Sequence, residues 1–463
     1  MPMPSTSLRW TCLTLLCISV LHCARAANCT ASDSAALLDF KNGFSCQDIN
    51  NPGLVCQFDT WVPGTDCCNS WSGVTCDATG QVTDISVFGF WNGDLTFQIH
   101  QSAPASTFMT QLPRLKALES IDIQFARFGD AELPKVWGQI AKLKHINIVG
   151  VAGFTGEIPK EFGNLSNLEV FHWDTMVPTT LGPGLSGSKG IPKELCKLHK
   201  LREFYVFLLP NWSGTLPDCI DGWTSIQSIT INNGDPHSYG EVLNTGGLTG
   251  PIPSNLGKLK TLTYLSLVGN KFTGSIPKSF GSLSNLRTLR LNNNRLSGAI
   301  PWKELSQLKF LVTLDLKINN FHGTLPPLTP NCFQNLEYLD ASNTSIWGEL
   351  PRRILDLPMI GTLKFRHVRL WGWIPSATFM NASRADFNFD FSYNFLSGPP
   401  PKLPGPTGVF KAPHNKLSTS IPAAYGSLYT LDLSFNRLTG RVPTAVLAVN
   451  SLSLDGNNFT NFP

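Results

Sequence analysis

Carboxylate pairs such as Asp315 and Asp340 come nearest, in type and spacing, to acid–base chemistry of the glycosidase kind. Two aspartates divide into acid and base only when their surroundings push their pKa values apart. The 25-residue interval sets this pair on neighbouring strands of an open sheet, where no pocket is expected to desolvate either one. The chain has no zinc-protease His-Glu-x-x-His, no Gly-x-Ser-x-Gly elbow, no phosphate-loop Gly-Lys-Ser/Thr and no kinase segment. These observations point away from an enzyme, and no cofactor or metal is expected.

The second chemical feature is cysteine. Cys29, Cys46, Cys56, Cys67, Cys68 and Cys76 crowd into one short stretch with no histidine among them. In an oxidising compartment such density staples a small cap whose own core is thin, which disulfides explain better than zinc. Six cysteines allow fifteen pairings, and sequence alone selects none. Cys196 and Cys219 occupy corresponding places in consecutive repeats, so a bridge between them is open. Cys332 has no evident partner and reads as a buried thiol in the spine.

The elements that position these residues follow from a repeat. Ile252-Pro253, Ile276-Pro277, Ile300-Pro301, Leu325-Pro326, Leu350-Pro351 and Ile374-Pro375 recur every 24 or 25 residues. One unit reads Leu286-x-x-Leu289-x-Leu291-x-x-Asn294-x-Leu296-Ser297-Gly298-x-Ile300-Pro301. This period marks a leucine-rich-repeat solenoid. The expected fold is an α/β solenoid, a right-handed superhelix with a parallel β-sheet on its concave face and 3-10 or short helices on its convex face. A core that grows with repeat number overrides the several globular domains that 463 residues would otherwise suggest.

Alternation along a strand sends Leu289 and Leu291 inward and Arg290 and Asn292 outward. The Asn closing each strand (Asn270, Asn294, Asn319, Asn394, Asn415, Asn436, Asn457) is expected to satisfy turn backbone and to stack as a ladder. The outward columns vary, and binding is expected there through His172, Asp174, Tyr205, Phe207, Asn232, Arg290, Asn292, Asp315, Lys317 and Arg366. Aromatic and Arg side chains are the usual anchors of interfaces. Two insertions, Met176–Lys189 and Gly234–Gly247, lengthen the loop after the strand, and Tyr239 in the second joins the candidate set.

Arg9, an apolar run from Trp10 to Cys23, and Ala24-Arg25-Ala26 compose a signal peptide over residues 1–26. Residues 27–80 form the disulfide-stapled cap, with a helix entered at Ser32-Asp33-Ser34, and 81–463 form about 14 repeats with no clear C-terminal cap. No later stretch approaches the ~20 apolar residues of a transmembrane helix. Without Arg9 and Arg25 the charge is 34 basic minus 32 acidic, which gives no case for nucleic acid. Sequons at Asn28, Asn164, Asn211, Asn343, Asn381 and Asn458 are glycosylation candidates, Asn28 the weakest.

Cys29, Ala36-Leu37-Leu38-x-Phe40-Lys41, Trp61, Asp66-Cys67-Cys68 and Trp71-x-Gly73-Val74-x-Cys76 resemble the N-terminal cap of plant extracellular leucine-rich-repeat proteins. With the Gly-x-Ile-Pro units, the chain is similar to polygalacturonase-inhibiting proteins and to kinase-less receptor-like ectodomains. The resemblance implies Cys29–Cys67 and Cys68–Cys76 bridges and leaves Cys46 and Cys56 to each other. It implies a secreted glycoprotein of the cell wall or apoplast, binding an extracellular protein, such as a hydrolase inhibited in plant defence. The alternative is a receptor-like module presenting a peptide to a membrane kinase. A structural role on cell-wall polysaccharide is a third reading, disfavoured by the irregular columns. Inhibitors of this type close with a cysteine-bearing C-terminal cap, and no cysteine follows Cys332.

Overall fold

Each repeat contributes a strand of three to five residues, too short to be stable alone, so its backbone groups must pair with the repeats before and after it. In the computed structural model these strands merge into one 16-stranded sheet running from Val74–Cys76 to Ser451–Ser453. The structure describes residues 28–46, 57–89, 99–101, 105–174, 190–207, 212–233, 246–378, 386–404 and 407–461. The first pair, Val74–Cys76 with Val82–Phe88, is antiparallel, and every later neighbour is parallel. The first pair shifts register between Thr75 and Cys76, and the parallel strands keep theirs: Ser266, Arg290, Asp315, Asp340 and Lys364 stand opposite one another in turn.

Leu265, Leu289, Leu314, Leu339 and Leu363 point the other way, into a continuous apolar spine. Burying a leucine contributes about 1.5–3 kcal/mol. After each strand the chain turns, forms a short ladder, and reaches Ile-Pro. Proline then presets the entry to a one-turn 3-10 helix, as Pro253 (φ −62) does before Ser254–Lys258. The outer side therefore carries the short helices expected.

The asparagine ladder is present. Asn294 Nδ2 donates to Leu267 O (2.8 Å) and Leu291 O (3.0 Å), and its Oδ1 accepts from Phe272 N (3.1 Å). One buried amide thus ties its own strand to the repeat before it. Asn270, Asn319, Asn394, Asn415, Asn436 and Asn457 repeat the pattern. Thr344 and Val368 interrupt it, Thr344 bonding only Ala341 O (2.8 Å) and Val368 carrying no amide in its side chain.

A second sheet escaped the sequence reading. Eight parallel strands from Ser297–Ala299 to Asn458–Asn461 lie between the ladder asparagine and Ile-Pro of successive repeats. Most hold a glycine at positive φ, and a Cβ at Gly298 (φ +79) would lie 3.2 Å from Ser275 Cβ of the preceding repeat. Glycine here marks close approach between coils.

At the N-terminus, helix Ala31–Lys41 begins earlier than expected, capped by Thr30 Oγ1, which accepts from Asp33 N (3.2 Å). Cys29–Cys67 and Cys68–Cys76 are bridged, as is Cys196–Cys219. The Asp66 carboxylate accepts from Cys29 N and Cys68 N, which holds its pKa below the ordinary value. Cys56 lies outside the described residues, as do residues 1–27 and most of both insertions. Cys332 is not fully buried as expected: it packs on the edge of the core, half-buried, and lines a cleft with Trp302, Ser306 and Gln334.

Asn294→Ala strips Phe272 N of its buried partner, a loss of about 1–3 kcal/mol, while Leu267 O keeps its bond from Asn270 Nδ2 (3.2 Å). Urea unfolding is expected to show a lower midpoint, with the fastest hydrogen exchange at Phe272. A midpoint equal to wild type would remove the ladder from the forces that hold the repeats.

Candidate recognition surface

The alternation that buries Leu289 exposes Arg290, and the next strands put Asp315 and Asp340 directly opposite each other. Like charges in that position are destabilising. The strain is relieved from one side by Lys317, whose Nζ lies 3.8 Å from Asp315 and 4.0 Å from Asp340. On the other side Tyr338 donates its hydroxyl to Asp340 Oδ2 (3.2 Å), and Ser342 N donates to Asp340 Oδ1 (2.9 Å).

Here an expectation fails. Asp315 is only 7% exposed, and burial pushes its pKa up to about 6. Lys317 pulls it down and Asp340 adds to the rise. No pocket is needed for this, because long neighbouring side chains lying across a flat sheet displace water as walls would. Burial, with Asp315 and Asp340 nearby, holds the Tyr338 hydroxyl far above its ordinary range.

The expected residues do not gather into one site. His172 and Tyr205, opposite in register, meet edge-to-face at 4.1 Å, and Tyr205 stacks on Phe207 at 5.9 Å. Burial, then Asp174, pushes Tyr205 up to about 12, and burial lowers His172. From Tyr205 to Arg290 is three strand steps, and from Arg290 to Lys364 another three, about 14 Å each. The candidates thus form an aromatic patch and a charged node on one wall.

Several candidates are not exposed. Phe207 (2%) is buried behind its stack with Tyr205, and Asp174 is buried beside them. Asn292 is buried where the chain bends into the turn, and its Oδ1 has no hydrogen-bond partner. Asn232 is consumed structurally, its Oδ1 accepting from Ser266 Oγ (2.8 Å) and Val268 N (2.9 Å). Arg366 is exposed as expected, and Tyr239 lies outside the described residues. Asn164, Asn343 and Asn458 are exposed, and Asn211 and Asn381 lie outside the described residues.

One feature of this wall was missed in the sequence. His367, Tyr393, His414 and Phe435 each sit one residue beyond the outward strand position at φ 52–57. Their rings stack in line at 4.3, 4.3 and 4.4 Å. Arg366 holds its guanidinium 5.3 Å from the Tyr393 ring. The signal was an aromatic or His at a fixed offset before the ladder position in four successive repeats.

Sequence comparison agrees with this architecture. The profile described as leucine rich repeat N-terminal domain matches residues 30–77, and leucine rich repeat profiles match 260–321 and 427–447. Receptor-like protein 50 of Arabidopsis thaliana is 31% identical over 164 residues, covering 34% of this chain and 17% of that protein. Receptor-like protein EIX2 of Solanum lycopersicum is 30% identical over 138 residues, covering 29% and 12%. The chain carries leucine-rich repeats with their N-terminal domain and is similar over these stretches to plant receptor-like proteins. The DNA damage-repair/toleration protein DRT100 of Arabidopsis thaliana is 32% identical over 144 residues, covering 30% of this chain and 36% of that protein. The matched stretches thus span 12–36% of these relatives' lengths.

Among solved structures, a TDR receptor superposes with a TM-score of 0.57 at 24% identity, covering 76% of this chain and 66% of that one. The Arabidopsis receptor kinase HAESA superposes at 0.52 and 21% identity, covering 93% and 86%. Both show the fold. No helix among the described residues is long and apolar enough to cross a membrane.

Asp315 supplies a signed pH test. Its native pKa, about 6, exceeds the 3.8 of the unstructured residue, so the native state binds the proton more tightly. The resulting stability is complete below pH ~4 and is lost as pH rises through ~6, at most about 3 kcal/mol in all. Asp315→Asn is therefore expected to raise Tm by a few degrees at pH 7.5 and hardly at all at pH 4.5. Equal shifts at both pH values in a thermal melt would show that Asp315 is not desolvated.

Proposed function

We propose that this protein is an extracellular recognition module whose concave sheet binds another protein or a peptide. The observation that carries this reading is the node of Arg290, Asp315, Lys317, Asp340 and Tyr338. A bare solvated surface has no reason to set two carboxylates opposite each other and desolvate one. Perturbed pKa values cluster where a ligand is met. Tyr205 and His172 supply aromatic anchors three strands away, and the His367–Phe435 ladder borders the same wall further along. The spread suits an extended partner laid along the sheet better than a small molecule in a pocket.

Receptor-like relatives favour a ligand-binding role in the apoplast with a membrane partner. HAESA, which shares the fold, is described in complex with the peptide hormone IDA and the co-receptor SERK1. Inhibition of a pectin-degrading hydrolase remains the narrower form of the proposal, with the enzyme's cleft occluded by the wall. Glycans on Asn164, Asn343 and Asn458 would stand on exposed positions, and that at Asn343 would border the concave face. In every version the protein binds and does not turn over a substrate.

Affinity capture from cell-wall extract with the purified protein, followed by mass spectrometry, tests the reading. The captured protein or peptide is expected to bind Tyr205→Ala/Arg290→Ala at least tenfold more weakly. Unchanged affinity for that variant would remove the concave wall as the binding surface. Capture of a receptor kinase or its peptide would select the receptor reading, and of a polygalacturonase the inhibitor reading.

A further inference from the structure

A different face of the molecule carries four exposed aromatic rings. On the second sheet, strands Ser345–Glu349, Arg369–Trp373, Phe395–Gly398, Lys416–Thr419 and Arg437–Arg441 alternate cleanly. Ile346, Leu370, Leu396, Leu417 and Leu438 enter the core, and the residues between them face outward. Among these outward residues are Trp347, Trp371, Trp373 and Phe395, and Trp373 at 67% is the most exposed large apolar side chain among the described residues. A contiguous exposed patch of this kind marks a contact site.

The rings are held by neighbours. Trp347 and Trp371 stack at 5.7 Å with 17° between their planes. Trp373 lies on Gly398 of the next repeat, where an added Cβ would come within 2.6–2.8 Å of three indole atoms. Gly398 therefore lets one indole face rest on backbone and leaves the other to solvent. Lys416 stands 5.3 Å from the Phe395 ring. Around the rings are short hydroxyls (Ser345, Ser397, Ser418, Thr439) and no aliphatic side chain. Arg369, Lys416, Arg437 and Arg441 supply four cations against one carboxylate, Glu349.

We infer that this face binds an acidic polysaccharide, a chain of pyranose rings bearing carboxylates. The C–H face of a pyranose is flat and slightly positive, which complements the negative face of an indole held open to solvent. Carboxylates along such a chain meet Arg in bidentate geometry and Lys as a point charge. A protein partner would call for aliphatic knobs, and the outward positions of these strands carry none. The site lies on the second sheet, so it is independent of the concave wall.

Affinity gel electrophoresis with polygalacturonate, beside neutral hydroxyethyl cellulose, tests it on the full secreted protein. Retardation by polygalacturonate is expected, weakening with salt, with little retardation by the neutral polymer. Trp371→Ala/Trp373→Ala should bind at least tenfold more weakly at the same ionic strength, and Lys416→Gln/Arg437→Gln should bind with a smaller salt slope. The positions are exposed, and an unchanged Tm confirms that each variant is folded. Tyr205→Ala/Arg290→Ala should bind the polymer as wild type does, which separates this site from the concave one. No retardation by polygalacturonate would overturn the inference. So would wild-type retardation of the double Trp variant, tighter binding of the neutral polymer, or capture of a protein in place of glycan through the Trp face.

Discussion

From Asn270 onward the structure depends on a small interaction made over and over: a buried asparagine amide at the end of most concave strands, bonded to carbonyls of two repeats at once. Asn294 reaches Leu267 O, Leu291 O and Phe272 N, so it fixes both its own turn and the separation of adjacent coils. Leucines alone would favour burial without fixing register, since apolar contact has no direction. The amide is directional. From Asn270 onward it fixes the spacing of successive coils, while the earlier strands keep the same parallel register through their backbone ladder and spine, and every outward side chain falls into a column.

Rigid register is what makes the recognition surface chemically unusual. Asp315 and Asp340 cannot slide apart, so their repulsion must be met by Lys317, Tyr338 and Ser342 N. The same register brings His367, Tyr393, His414 and Phe435 into a face-to-face stack. On the second sheet, stacking of coils seats Trp373 on Gly398. Two faces with different chemistry thus follow from one repeat unit, an aromatic and charged wall and an exposed indole face. Stability in such an array is mainly a sum of nearest-neighbour terms, so surface variation on either face costs little.

Much of this was legible in the residues. The period and the Asn spacing disclose the solenoid, and two-residue alternation correctly separates Leu289 from Arg290. Alternation fails at the strand ends, where the backbone leaves the sheet. Asn292 and Phe207 obey the count of two, yet Asn292 bends under the turn and Phe207 packs against Tyr205. The burial of Asp315 could not be read, because it depends on how Lys317 and Tyr338 lie across it and not on the identity of Asp315. The left-handed positions from Asn293 to Phe435 had no marker either, since non-glycine residues occupy them. Glycine in Gly-x-Ile-Pro is plain in the sequence, yet the close approach of coils and the second sheet it permits went unseen.

The most direct test of the stacked ladder is amide hydrogen exchange along the intact protein, read repeat by repeat. The amides that donate to ladder oxygens, Phe272, Leu296, Leu396, Leu417 and Leu438, are expected to be among the slowest in their repeats. Fast exchange at these five amides, or protection that breaks into separate blocks unrelated to the 24-residue period, would contradict a continuous ladder as the constraint that shapes both faces.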